Sequence, residues 1–360
     1  MGKSGRRGVS FDELSIVPSR RTRDPQDVDI SWEIDAYTFA SPLLASPMDS
    51  VVSPASAIAL GLQGAVGVLD LEGIWTRHDD PTAALAALDG LDPVAAAPRL
   101  AALYEAPIRP ELIRDRIAEL RAGGATTCGS LTPQRTVELA HHLVAAELDL
   151  FIIRGTVVSA EHVSKNREPL NLKRFIRQLD VPVLVGGCAS YQAALHLMRT
   201  GAAGILVGVG SGASSTLRTS LGVGAPQATA IADARAARMR HLDETGVYCQ
   251  VIADGGMHTG GDLAKAVVCG ADAMMVGAPF AGADEAPGRG LHWGRMSVHP
   301  TLPRGSVVRV PRLGSLERIL HGPGVTGDGR TNLLGGLRTA MATTGYGSLK
   351  DFQKADLVVG

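Results

Sequence analysis

Eight short apolar runs, most of them separated by amphipathic helical patterns, constrain this chain more than any other feature. They are "LLAS" (43–46), "AVGVL" (65–69), "TTCG" (126–129), "LFIIR" (150–154), "PVLVG" (182–186), "GILVG" (204–208), "QVIAD" (250–254) and "AMMVG" (273–277). Strands covered on both faces read as unbroken apolar stretches, and these do. Between them lie segments such as "PELIRDRIAELRAGG" (110–124) and "TPQRTVELAHHLVAAE" (132–147), whose apolar spacing is helical. Eight β/α units in one chain of 360 residues predict an α/β fold, a single (β/α)8 TIM barrel. A doubly wound open sheet shares the alternation, because periodicity by itself does not reveal closure.

An internal repeat favours the closed form. "VGGCASYQAALHLMRTGAAGILVG" (185–208) and "DGGMHTGGDLAKAVVCGADAMMVG" (254–277) both run from a Gly-Gly through a helix and a Gly-Ala to an apolar strand ending in Val-Gly. Their offset is 69 residues at either end (256 − 187 and 276 − 207), as a barrel assembled from duplicated pieces would show. Residues 71–109, rich in Ala, Pro and Asp, fit the alternation poorly and have room for a helix or two, but not for an additional domain. Residues 279–330, rich in Pro and Gly, form a long connection after the last strand and are the flap candidate.

A net charge of −1 exerts no global pull towards nucleic acid or membrane. The basic start "GKSGRRG" is followed by no apolar run, so it is not read as a secretory signal, and no stretch reaches the length of a membrane span. The four cysteines, Cys128, Cys188, Cys249 and Cys269, show no metal-ligand spacing, which points to a reducing, cytoplasmic setting without disulfides.

Active sites of such barrels lie at the C-terminal ends of the strands, and phosphate sites favour the last loops. Three glycine-bearing turns stand there: "GVGSG" (208–212), "DGG" (254–256) and "VGAPF" (276–280). Glycine allows close backbone approach and positive φ, so successive N–H groups can face one anion. A short helix starting near Ser214 would add its N-terminal dipole. Asp254 closes its strand where a carboxylate can accept from two ribose hydroxyls, or else cap the turn.

The motifs "ASPMDSVV" (45–52), "GVGSGASSTLR" (208–218), "GVGAPQATAI" (222–231), "VIADGG" (251–256), "AKAVVCGADAMMVGAPFAG" (264–282) and "GGLRTAMATTG" (335–345) resemble the IMP dehydrogenase and GMP reductase family over nearly the whole chain. The chain most resembles the short IMP dehydrogenase-related proteins without the regulatory CBS pair, with 71–109 where that insertion usually sits. The resemblance implies a purine 5′-monophosphate (IMP, GMP or XMP) as ligand, NAD or NADP as cofactor, and a homotetramer or octamer. It implies that Ser46 and Met48 flank the purine and that Asp254 binds the ribose hydroxyls. Gly210, Ser211, Gly212, Ser214, Gly255, Gly256, Gly277 and Ala278 would hold the phosphate. His292 or Trp293 falls near a tyrosine that contacts phosphate in the family. A monovalent cation (K+) would sit on the carbonyls of Gly210, Gly212 and Ser215.

The departures from the family pattern concern chemistry. Ser215 stands at the cysteine that attacks purine C2, and Leu217 replaces a threonine of the same loop, which Arg218 closes. Arg154 stands where an aspartate adjoins the nicotinamide, Gly187 replaces an asparagine, and Ala278 a serine. A hydroxyl is a weak nucleophile without an adjacent base, and the loop supplies none. Ser215, Arg218 and His258 are the catalytic candidates, Arg154 and Gly187 the cofactor-side ones, and Cys188 either a displaced nucleophile or a packing residue. Three functions fit: a C2 oxidoreductase, a catalytically silent nucleotide-binding or regulatory protein, and an enzyme acting on a modified purine nucleotide.

Overall fold

Parallel pairing runs around a full circle of strands. In chain order these are β1 (Leu43–Ala45), β2 (Val66–Gly67 and Leu69–Asp70), β3 (Cys128–Leu131), β4 (Leu150–Arg154), β5 (Val183–Cys188), β6 (Gly204–Val207), β7 (Gln250–Asp254) and β8 (Ala273–Val276). Each pairs with the next, and β8 pairs with β1 through Met275 and Leu44. The circle closes in β2, whose first half pairs with β1 and whose second half pairs with β3. Only Val68 separates the halves, so the expected eight-stranded barrel is present and the open sheet is excluded. The computed structural model describes residues 5–165, 168–299, 301 and 305–360. The first residues of the basic N-terminal stretch, and residues 300 and 302–304 of the flap candidate, lie outside those described.

Strand side chains alternate between two apolar clusters, as a pleat requires. Leu44, Val66, Val68, Cys128, Leu150, Ile152, Leu184, Leu206, Ile252, Ala273 and Met275 fill the barrel interior. Their neighbours, among them Phe151, Ile153, Val185, Val207, Val251 and Met274, face outward into the layer beneath the helices. Burial on both sides is why the runs are continuously apolar. The N-terminal end is plugged by the hairpin Trp32–Ile34 with Tyr37–Phe39, which sends Trp32 and Ile34 into the interior cluster. Trp32 donates to Gln250, the first residue of β7, at 3.3 Å. The open end is therefore the C-terminal one.

The 69-residue repeat corresponds to β5–helix–β6 and β7–helix–β8. Its helices, Tyr191–Met198 and Gly260–Cys269, are capped by Ser190 and Thr259, which are 69 positions apart (259 − 190). Residues 71–109 contain the helices Pro81–Ala86 and Pro93–Leu103. After β8 the chain forms the strand pair Leu291–His292 with Val308–Arg309, then the helix Leu316–His321. No helix among the described residues is long and apolar enough to cross a membrane.

Ile252 is fully buried in the barrel interior. Ile252→Ala is expected to lower unfolding free energy by about 2–5 kcal/mol, read from chemical denaturation followed by circular dichroism.

Candidate functional site

One cavity of about 460 Å³ opens at the C-terminal end of the barrel. The three glycine turns all contribute to its wall, through 208 and 210–215, 254–256, and 277–278. Gly208 passes the end of β7 so closely that a Cβ there would stand 2.1 Å from the Asp254 carbonyl, which no other residue tolerates. Gly255 and Gly256 take φ of +79° and +78°, the left-handed region that glycine occupies without strain. Among the described residues, the N–H groups of Gly212, Ala213, Ser214, Gly256, Gly277 and Ala278 have no hydrogen-bond acceptor. Unpaired backbone donors that converge on one hollow are the makings of an anion site. The helix expected near Ser214 begins at Leu217 instead, with Thr216 as its cap, and has four residues. Gly212 and Ser215 form a turn ahead of it, Ser215 N–H donating to the Gly212 carbonyl at 3.0 Å.

Asp254 and Arg154, the last residues of β7 and β4, meet across the barrel. Arg154 Nε donates to Asp254 Oδ2 at 3.1 Å, and Nη2 reaches Oδ1 at 3.5 Å. The aspartate is 8% exposed, so the guanidinium compensates a nearly buried charge. A carboxylate has about four acceptor positions, which leaves room for two further donors.

A second set of charges forms the wall below β2. Asp70, the last residue of that strand, and Arg295, from the connection after β8, both line the cavity. Arg295 Nε lies 3.6 Å from Asp70 Oδ2, and its Nη1 donates to Glu72 Oε2. Although burial opposes its charge, Asp70 and Glu72 hold Arg295 protonated beyond the ordinary arginine range. Behind this wall, Trp293 Nε1 donates to Tyr104 Oη at 3.0 Å, and Tyr104 donates to Asp49 Oδ2 at 2.6 Å. Burial, then the charge of Asp70, pushes the Asp49 carboxyl up to about 7, while its Oδ1 has no partner. Burial likewise raises Asp70. Asp70, the carboxyl of this pair that lines the cavity, is raised in the direction that suits proton transfer.

His292 is 2% exposed and lies against Gly277. Burial, and then the charge of His258, lowers its imidazole to about 4.

The structure brings most of the expected residues together. Ser46, Met48, Arg154, Gly210, Ser211, Gly212, Ser214, Ser215, Asp254, Gly255, Gly256, His258, Gly277, Ala278 and His292 all line the cavity. Ser215 Oγ accepts one weak bond, from Leu217 N–H at 3.4 Å, and among the described residues no side-chain base touches it. His258 sits exposed on the rim, with its backbone N–H on Asp262. Four candidates lie elsewhere. Arg218 is exposed and outside the cavity wall, its stem packed beside Gly210 and Gly224. Gly187 is buried in β5 at a register shift, where a Cβ would stand 2.5 Å from the Gly208 carbonyl. Trp293 is sealed behind the wall. Cys188 packs: its thiol is buried, donates to the Leu206 carbonyl and is pushed up to about 12 by desolvation. Among the described residues no cluster of His, Cys, Asp and Glu is arranged to hold a metal ion.

Asp70, Ser130, Thr132, Gln134, Arg295 and Ser297 also line the cavity and were not anticipated. Asp70 was within reach, since a strand drawn over 65–69 stops one residue short of it.

A family model described as the IMP dehydrogenase / GMP reductase domain matches residues 8–359. Uncharacterized oxidoreductases of Mycolicibacterium smegmatis and Mycobacterium tuberculosis are each 48% identical to the chain, over 100% of it and 98% of their own length. Inosine-5′-monophosphate dehydrogenase of Haemophilus influenzae is 32% identical over 69% of this chain and 52% of its own. The crystal structure of an IMP dehydrogenase/GMP reductase-like protein from Corynebacterium glutamicum superimposes with a TM-score of 0.94 at 45% identity, covering 100% of this chain and 96% of that one.

Asp49 supplies a prediction with a definite sign. Its folded carboxyl, at about 7, holds a proton more tightly than the unfolded chain, whose ordinary value is 3.8. Its stabilising contribution is full below the lower value and is lost as pH rises through the higher one. Asp49→Asn should therefore flatten the fall in stability between about pH 4 and pH 7. Denaturation midpoints of both proteins across that range check it, and an unchanged slope would place the proton elsewhere.

Proposed function

Because the chain belongs to the IMP dehydrogenase / GMP reductase family of oxidoreductases, we propose that it binds a purine 5′-monophosphate (IMP, GMP or XMP) and exchanges hydride at purine C2 with NAD or NADP. The observation that carries this reading is the set of unpaired N–H groups on three turns around one end of one cavity. A phosphate there accepts from Gly212 to Ser214, Gly256, Gly277 and Ala278. The ribose then reaches Asp254, whose free lone pairs accept from two hydroxyls while Arg154 keeps the others. Ser46 and Met48 lie beside β8 and border the purine.

With the phosphate at β7 and β8, the far side of the ring of strands is β3 and β4. Ser130, Thr132, Gln134, Gly155, Thr156 and Val157 line the cavity there, a mixed polar and apolar surface that suits a nicotinamide mononucleotide half. Bound NAD or NADP supplies the hydride acceptor or donor. The carbonyls of Gly210 and Ser215 have no hydrogen-bond partner among the described residues, which suits the K+ of this reading. Assembly as a homotetramer or octamer in the cytoplasm belongs to the same proposal.

Ser215 alters how the chemistry would run. Without a base on its hydroxyl, covalent attack at C2 is slow, and the reaction rests on positioning and on proton transfer, which by itself contributes about 10²–10⁴-fold. The isolation of Ser215 Oγ also supports a second reading, a nucleotide-binding protein without turnover.

Absorbance of the reduced nicotinamide, followed with IMP plus NAD and with GMP plus NADPH, separates the two readings. Turnover in either assay is expected. Flat traces alongside nucleotide binding by calorimetry would favour the silent protein, and no binding of IMP, GMP or XMP would sink both. Ser215→Cys should acquire a covalent mass adduct with a C2-electrophilic purine nucleotide; an unmodified mass would remove Ser215 from beneath the purine.

A further inference from the structure

The two ring nitrogens of His292 face different surroundings. Nδ1 lies 3.1 Å from Ser50 Oγ. That hydroxyl has one proton, which it gives to the Trp293 carbonyl at 2.9 Å, and it also accepts from Trp293 N–H at 3.2 Å. Ser50 Oγ must therefore accept from His292 as well, which places the ring proton on Nδ1 and leaves a lone pair on Nε2. The Nε2 edge lies against Gly277, where a Cβ would stand 3.4 Å from Cε1 and 3.7 Å from Nε2. Among the described residues Nε2 makes no hydrogen bond. An acceptor on the cavity side of a buried ring is thus fixed beside N–H donors that suit an anion. An imidazole lone pair and a phosphate dianion repel each other, whereas one proton between them creates a charge-assisted hydrogen bond.

We propose that His292 makes occupation of the anion subsite depend on a proton: the phosphomonoester binds together with one H+ shared between its oxygen and Nε2. This rests on the nucleotide reading above. The balance is simple: dianion, neutral imidazole and one H+ enter the complex, drawn as imidazolium with dianion or as imidazole with monoanion. Above the second phosphate ionisation, at about pH 6, neither free partner carries that proton, so solvent supplies it. Affinity is then greatest near or below that pH and weakens by up to about tenfold per unit above it.

The groups around the ring leave this role to His292. His258, on the loop after β7, opposes a positive charge on it. Asp49, beside Ser50, is bonded to Tyr104 and to the Ile74 N–H. Arg295, beyond Trp293, is engaged with Asp70 and Glu72. Gly277 at the ring edge, and Met48 on the same glycine, bring no charge.

The test is calorimetry of the full chain with IMP at about pH 8 in buffers of contrasting ionisation enthalpy. Close to one proton should be taken up per IMP, and none with inosine, which lacks the phosphate. His292→Gln should bind IMP with uptake near zero and a flat pH profile, while His258→Gln keeps the uptake. Should His292→Gln fail to fold, nitrogen NMR of the wild-type protein with labelled histidine reads the same event. Nε2 of His292 should pass from the unprotonated to the protonated type on adding IMP. IMP binding without proton uptake, uptake that survives in a folded His292→Gln, or an unchanged Nε2 resonance would overturn this inference and leave the nucleotide reading standing. Failure to bind any of the three nucleotides would end both.

Discussion

The backbone carbonyl of Asp254 holds the mouth of the barrel together. Ser211 Oγ donates to it at 2.8 Å and Gln227 Nε2 at 3.3 Å, and the same Gln227 amide donates to the Val207 carbonyl at 2.7 Å. One buried side chain thus fastens the ends of β6 and β7, while Ser211 draws the 208–215 loop over the junction. Gly208 allows the two backbones this contact, since any side chain would strike the carbonyl. From this fixed main chain, Asp254 extends its carboxylate to Arg154. Bonds of this kind, kept out of water, hold a site within the tolerance that binding demands, and they do so here although Gln227 Oε1 has no partner among the described residues. Gly255 N–H on the Met275 carbonyl, at 3.0 Å, extends the same fastening to β8.

This arrangement decides what kind of charge the cavity offers. Both arginines in its wall are already neutralised, Arg154 by Asp254 and Arg295 by Asp70 and Glu72. Buried pairs of this sort do little for net stability and much for geometry. Attraction for an anion in the free protein therefore comes from N–H groups, which carry no net charge and cannot pull in anions indiscriminately. A chain with net charge −1 is consistent with short-range recognition of that kind.

The sequence revealed whatever depends on local pattern. The eight runs were readable because each barrel strand buries both faces, and the 69-residue repeat because its Gly-Gly, Gly-Ala and Val-Gly pairs recur at one offset, with the helix caps Ser190 and Thr259 following the same spacing in the structure. The glycine turns were readable because close approach and positive φ exclude other residues. What remained hidden depends on closure. Arg154 and Asp254 are separated by 100 positions and meet only because β4 and β7 face each other across a ring. Arg295 reaches Glu72 from 223 positions away, through a connection with no periodic signal. Family position also misled where the backbone decides. Gly187 is consumed by a register shift inside β5, and Arg218 lies outside the cavity wall. The helix expected from the glycine loop itself begins later, at Leu217, because the loop turns once more first.

Ser215 and the carboxylate wall bear on the chemistry together. A hydroxyl whose one hydrogen-bond partner among the described residues is a backbone N–H holds its proton and is a poor nucleophile. The same cavity has Asp70 in its wall with a carboxyl raised by burial, and Asp49 behind it is raised by burial as well. Acid–base capacity has thus been placed beside β1 and β2, while the loop at β6 has been left without it. A barrel mouth so arranged favours reactions in which protons are moved around a tightly held ligand over those that need a covalent bond to the loop.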